Sequence, residues 1–196
     1  MPDAHPLPAH YLITPEPASG ADADLADFLA RLSAALEGGH RLVQLRVKSL
    51  PAGAYATLAA DAVARCHAHA ARIVLNGPLD PARALASGAD GVHLGSLALA
   101  ALEARPLPAE RLLSVACHSR EHVLRAMRIG ADCATLSPVL PTLTHPGAPT
   151  LGWERFAACA ADAGLPIYAL GGMTPALLPV ARAHGAHGIA GIRGFW

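Results

Sequence analysis

Ile167-Tyr168-Ala169-Leu170-Gly171-Gly172-Met173-Thr174-Pro175 is the stretch that decides the fold. Its apolar half is long enough for one buried strand and stops at paired glycines. Thr174 is a helix-capping residue type, and Pro175 suits the first turn of the helix it would open. Glycines at a strand-to-helix junction let bare backbone N–H groups converge where a helix dipole begins, an arrangement that holds phosphate. Further on, His187-Gly188-Ile189-Ala190-Gly191-Ile192-Arg193-Gly194 ends its apolar run the same way. Either turn alone reads as a tight chain reversal. Two of them, after the last two strands of a β/α repeat, mark the place where one barrel architecture keeps its phosphate site. Gly171, Gly172 and Gly191 are the candidate phosphate residues on this reading.

Working back from that stretch, strands and helices alternate at near-constant spacing. Strands are expected at His10–Thr14, Arg41–Val47, Arg72–Asn76, Gly91–Leu94, Leu112–Cys117, Ala134–Ser137, from Ile167, and around Ile189. Between them lie helical patterns at Asp22–Glu37 (stopped by Gly38-Gly39), Pro51–Ala70, Asp80–Ala86, Leu97–Ala104, Arg120–Ile129, Trp153–Ala163 and up to His184. Right-handed parallel crossovers follow from that order. So many strands favour a closed (β/α)₈ TIM barrel over an open doubly wound sheet. Residues 1–9, rich in Pro, are expected as a flexible tail, with 10–196 forming a single barrel domain. The sequence ends at Phe195-Trp196, leaving no room for a full eighth helix. The exposed flank is expected to be covered by the tail, by the Phe-Trp pair or by a second subunit, as in a homodimer.

Composition narrows the function. The 196 residues carry 15 acidic and 15 basic side chains, a formal net charge of zero, which gives no basic excess for nucleic acid or an anionic membrane. No run reaches membrane-spanning length. Cys66, Cys117, Cys133 and Cys159 lack CxxC spacing and sit among apolar residues, consistent with reduced thiols in a cytoplasmic protein.

The second strand carries the strongest chemical signal. At period two, Leu42, Gln44, Arg46 and Lys48 share one side, and Val43, Leu45 and Val47 the other. A parallel strand buried on both faces would be apolar throughout. Polar and cationic residues at its C-terminal end instead face the barrel mouth and suit an anionic or planar ligand. Asn76 has the parity to face the same mouth. His118 ends the fifth strand above the small residues Ser114 and Ala116, and imidazole at that position suits general acid/base work. His118-Ser119-Arg120-Glu121-His122 also spells a zinc-peptidase pattern, but Ser119 reads as an N-cap and leaves His118 off the helix that the pattern requires. At the strand ends Glu16 is the acidic residue that can be placed, so no metal site is expected.

Taken together, several motifs resemble the thiamin phosphate synthase/thiazole tautomerase superfamily. They are Gln44-Leu45-Arg46-Val47-Lys48, Leu75-Asn76, Gly88-Ala89-Asp90-Gly91-Val92-His93-Leu94-Gly95, Cys117-His118-Ser119 and Leu136 to His145. Ala169-Leu170-Gly171-Gly172-Met173 and the Gly188–Gly191 turn complete them. The resemblance implies phosphate binding by the backbone of Gly172, Gly191 and Ile192, and a ring framed by Gln44, Arg46 and Lys48. Synthases of this superfamily join a pyrimidine diphosphate to a thiazole phosphate and release pyrophosphate with magnesium. Their Asn-Asp after the third strand is Asn76-Gly77 here, and their second Asp falls at Ala98. Their Pro-Thr-x-Thr-Lys is Pro141-Thr142-Leu143-Thr144-His145, making Thr142, Thr144 and His145 substrate-binding candidates. The resemblance is therefore closer to the metal-independent tautomerase branch. It implies an isomerase without cofactor in which His118 moves the proton. A synthase needing magnesium and a non-catalytic thiazole-phosphate or thiamin-phosphate binding module remain the alternatives.

Overall fold

The computed structural model describes residues 6–77, 85–142, 147 and 149–196. Eight parallel strands close into a barrel in sequence order. They are β1 (His10–Ile13), β2 (Leu42–Leu45), β3 (Arg72–Asn76), β4 (Gly91–Leu94), β5 (Leu112–Cys117), β6 (Cys133–Leu136), β7 (Ile167–Leu170) and β8 (Gly188–Gly191). Around them run α1 (Asp22–Glu37), α2 (Ala52–Ala68), α3 (Ser96–Ala101), α4 (Arg120–Arg128), α5 (Gly152–Ala160) and α6 (Leu178–Ala183). The helix expected over Asp80–Ala86 falls mainly outside the described residues. None of the helices described is long and apolar enough to cross a membrane.

Strand alternation sorts the apolar side chains into two layers. Leu12, Val43, Leu45, Ile73 and Leu75 face outward and pack against Phe28, Leu32, Leu58 and Val63 of the helices. Tyr11, Ile13, Leu42, Val74, Cys133 and Tyr168 face inward and fill the barrel. The interior is thus filled, and cavities open at both ends of the barrel: one of about 370 Å³ beneath it, beside Arg72, Asp90 and Asp132, and others over the C-terminal ends of the strands, where this architecture keeps its sites.

Four expectations change in detail. β2 ends at Leu45 rather than Val47, because side chains take the next N–H groups. Thr14 Oγ1 accepts from Arg46 N at 2.9 Å, and the Glu16 carboxylate from Lys48 N at 2.9 Å. The helix after β7 opens as a 3₁₀ turn, Pro175–Leu177, before α6 begins. Thr174 occupies the cap position without a side-chain bond, and its carbonyl accepts from Leu177 N at 2.9 Å instead. Of the expected tail, residues 6–9 are held beneath the barrel. The Pro8 carbonyl accepts from Tyr168 Oη at 2.6 Å, the Leu7 carbonyl from His187 Nε2 at 2.8 Å and the Ala9 carbonyl from Ile189 N at 2.9 Å. The aromatic pair that follows β8 packs onto the barrel and α1. Phe195 is buried edge-on to His10, and Trp196 packs 5.0 Å from Phe28 with the Arg31 guanidinium over its ring.

Candidate active site

Two cavities share the mouth. A cup of about 240 Å³ lies over the turns after β7 and β8, and a chamber of about 360 Å³ lies over β2 to β6. Thr142, Leu170, Gly171 and Ile192 line both, so the two are continuous.

The cup is built from main chain. Gly171 and Gly172 have φ of +96° and +70°, in the region that favours glycine. A Cβ on Gly171 would stand 2.9 Å from Pro138 Cα, and one on Gly172 would stand 2.8 Å from the Pro141 carbonyl oxygen. The turn after β7 is therefore pressed against the β6 loop with no space for a side chain. The N–H groups of Gly172, Met173, Ile192 and Arg193 meet no acceptor among the described residues. That leaves a cluster of free donors on a wall where an anion can sit. The helix dipole anticipated there contributes little, since the cup is followed by a single 3₁₀ turn and a six-residue helix. Arg193, exposed on the rim, supplies a cation that sequence reasoning passed over, although it directly follows the glycine turn.

The chamber brings Gln44, Arg46, Lys48, Asn76, Thr142 and His118 together. Thr144 and His145 lie outside the described residues. Gln44 is buried and fixed from both sides: its Oε1 accepts from Asn76 Nδ2 at 2.7 Å, and its Nε2 donates to Tyr11 Oη at 3.3 Å. Tyr11 Oη donates to Ser114 Oγ at 3.1 Å, and Ser114 Oγ lies 2.8 Å from His93 Nδ1. This chain, with the buried Thr135 on β6, forms the chamber floor. Burial pushes the His93 pKa down from 6.5 to about 3 and raises that of Tyr11, so both are neutral at pH 7. Sequence reasoning missed His93 as a site residue, although period two marked it as the inward polar residue between outward Val92 and Leu94.

Glu16 at the rim is turned to the β2–α2 loop. It accepts from Lys48 N and from Ser49 Oγ (3.0 Å), and it sits 3.6 Å from Arg46. His118 is exposed on the opposite rim. Its Nδ1–H donates to the Ser137 carbonyl at 2.8 Å, and its backbone N–H donates to His122 Nδ1 at 3.2 Å. Ser119 caps α4 as expected, accepting from His122 N at 3.3 Å, so the zinc pattern is broken across a cap. No cluster of three metal-ligating side chains occurs among the described residues.

A family model described as thiamine monophosphate synthase matches residues 10–195. A Geobacter sulfurreducens protein named "Putative thiamine-phosphate synthase" is 41% identical over 183 residues, covering 92% of this chain and 83% of that one. The thiamine-phosphate synthase of Thioalkalivibrio sulfidiphilus is 35% identical, covering 94% and 85%. Among solved structures, a thiamine phosphate pyrophosphorylase from Pyrococcus furiosus superposes with a TM-score of 0.73 at 25% identity, covering 93% and 84%.

These names correct the expectation of a tautomerase-type isomerase. The relatives carry thiamine-phosphate synthase names, and the structural neighbour is named a thiamine phosphate pyrophosphorylase. His118 stands at the exposed rim of the chamber, while the buried Gln44, His93 and Thr135 lie on other strands. With a family match that runs almost from end to end, the chain belongs to the thiamine monophosphate synthase family.

Proposed function

We propose that this protein is a thiamine-phosphate synthase, a transferase that joins a pyrimidine diphosphate to a thiazole phosphate and releases pyrophosphate. The observation that carries the reading is the continuity of a main-chain anion cup with a larger chamber rimmed by cations. Gly171, Gly172, Gly191 and Ile192 hold the thiazole phosphate. Gln44 and Asn76 meet the planar pyrimidine, with Thr142 at the junction. Arg46 and Lys48 face the diphosphate, joined in sequence by Thr144 and His145. One bond forms between the two rings as the bond to the diphosphate breaks, and that electron pair leaves with pyrophosphate. Cations placed where that charge develops lower the barrier. A cytoplasmic setting suits four unpaired cysteines, three of them buried.

Magnesium, which the synthase chemistry implies, asks for one or two carboxylates beside the substrate phosphates. Among the described residues the donor set does not fit: no acidic side chain lines the chamber, and Glu16 is bonded to the β2–α2 loop. The segment after Asn76 that contains Asp80 lies outside the described residues. No step is therefore routed through a metal ion.

The test is to incubate the protein with both substrates, with magnesium and with EDTA, and to follow thiamine phosphate and pyrophosphate by chromatography. Equimolar appearance of the two products is expected. Binding of both ligands with no coupled product would refute the reading and leave a binding module.

A further inference from the structure

Below the cationic rim, the chamber ends on two inward side chains that charge recognition does not explain. His93 and Thr135 point into the barrel, since their neighbours Val92, Leu94, Ala134 and Leu136 belong to the outer layer. Thr135 is fully buried, and its Oγ1 has no hydrogen-bond partner. A buried hydroxyl without a partner is costly unless a ligand or water meets it.

The proton of His93 can be placed by following the donors. Asn76 Nδ2 donates to Gln44 Oε1 (2.7 Å), Gln44 Nε2 to Tyr11 Oη (3.3 Å), and Tyr11 Oη to Ser114 Oγ (3.1 Å). The Ser114 proton then has two takers: His93 Nδ1 at 2.8 Å and the neighbouring Cys133 sulfur. Imidazole nitrogen is a far stronger acceptor than sulfur. A neutral ring that accepts at Nδ1 carries its proton on Nε2. That nitrogen has no partner among the described residues, and His93 lines the chamber.

We propose that Tyr11 and Ser114 lock His93 as the Nε2–H tautomer, and that this N–H and the Thr135 hydroxyl together read the edge of the planar nitrogen heterocycle entering the chamber. The N–H gives a donor for a ring nitrogen, and the hydroxyl serves a neighbouring polar group. Specificity then comes from two side chains of the floor, which reject rings lacking an acceptor at that edge because His93 and Thr135 would stay unpaired. Naming the ring as the pyrimidine of the diphosphate substrate rests on the synthase reading; the tautomer does not.

Long-range proton–nitrogen NMR on labelled protein should show His93 as the Nε2–H form, and Ser114→Ala should lose that single-tautomer signature. In calorimetry, Thr135→Val should weaken the pyrimidine diphosphate about tenfold while leaving thiazole phosphate within about twofold, and Thr135→Ser should restore binding. An Nδ1–H ring in the wild type overturns the proposal. So does a Thr135→Val variant that moves both ligands equally or neither. Tight pyrimidine binding without turnover defeats the synthase reading alone. Turnover with unchanged affinity in Thr135→Val defeats this one alone.

Discussion

Gly171 and Gly39 share almost the same backbone angle, φ of +96° and +98°, but differ in what surrounds them. A Cβ on Gly39 would meet nothing within 4 Å, whereas one on Gly171 would stand 2.9 Å from both Pro138 Cα and Cβ. Gly39→Ala therefore costs backbone strain alone, about 2 kcal/mol at such an angle. Gly171→Ala carries the same strain plus a collision with main chain. That main chain cannot easily retreat, because Val139 N is held by the Leu170 carbonyl (2.9 Å) and the Pro138 carbonyl by Leu151 N (2.8 Å). Forced overpacking of this kind adds about 2 kcal/mol. The loss of unfolded-chain freedom on replacing Gly by Ala is common to both variants and cancels in the comparison. For a domain of this size a difference of about 2 kcal/mol separates the two melting temperatures by about 6 °C. Denaturant titration gives the free energies, and steady-state kinetics give the functional half. The KM for thiazole phosphate should rise about tenfold in Gly171→Ala, as a donor or two loses its aim, and stay put in Gly39→Ala. Equal stability losses would mean that the β6 loop yields freely, and the cup would not be the rigid donor wall described.

Two other expectations follow from the site's electrostatics. Because burial lowers the His93 pKa from 6.5 to about 3, the unfolded chain takes up a proton that the folded one refuses. This contribution to stability is complete above pH 6.5 and is lost as pH falls toward 3, at up to about 1.4 kcal/mol per pH unit. Urea midpoints from pH 7 to 4 should show that slope, and a His93→Gln variant with an unchanged slope would assign it elsewhere. Glu16→Gln removes a charge that anchors Lys48 N and Ser49. It should cost about 1 kcal/mol at this partly exposed site and raise the KM for the diphosphate substrate a few-fold with kcat nearly unchanged. A fall in kcat with KM constant would show that Glu16 acts on the reaction itself.

The barrel was legible because its repeat rests on simple periodicities. Asp22–Glu37 follows a 3.6-residue pattern that stops at paired glycines, and the helix has those bounds. The alternation of Leu42 and Gln44 against Val43 and Leu45 assigned inside and outside correctly, because a one-residue error would put every side chain on the wrong face. The site was less legible where partners are distant in sequence. Nothing near Arg46 announces that Thr14 and Glu16, some thirty positions earlier, will end the strand there. His93 in an apolar strand looks like core until Ser114 and Tyr11 are seen beside it. The isomerase reading failed for a related reason. It weighed Gly77, Ala98 and His145 against the whole chain, although the similarity to synthases is spread over residues 10–195.

The two anions of the proposed reaction have opposite fates, and the mouth divides its donors accordingly. The thiazole phosphate stays on the product, so it can be gripped throughout by groups that do not move. Backbone N–H groups at Gly172, Met173 and Ile192, pinned by glycines with no space for a side chain, are such groups. The diphosphate must depart, so donors that hold it as charge develops must also release it. Arg46, a quarter exposed and 3.6 Å from Glu16, and the exposed Lys48 meet that need. Both are long side chains with a counter-charge or water to return to, and solvent screening keeps the hold of each one modest. Exchanging the two kinds of donor would slow the reaction from either side. A fixed cage would retain pyrophosphate, and a mobile grip on the thiazole would lose the alignment that makes two bound rings reactive.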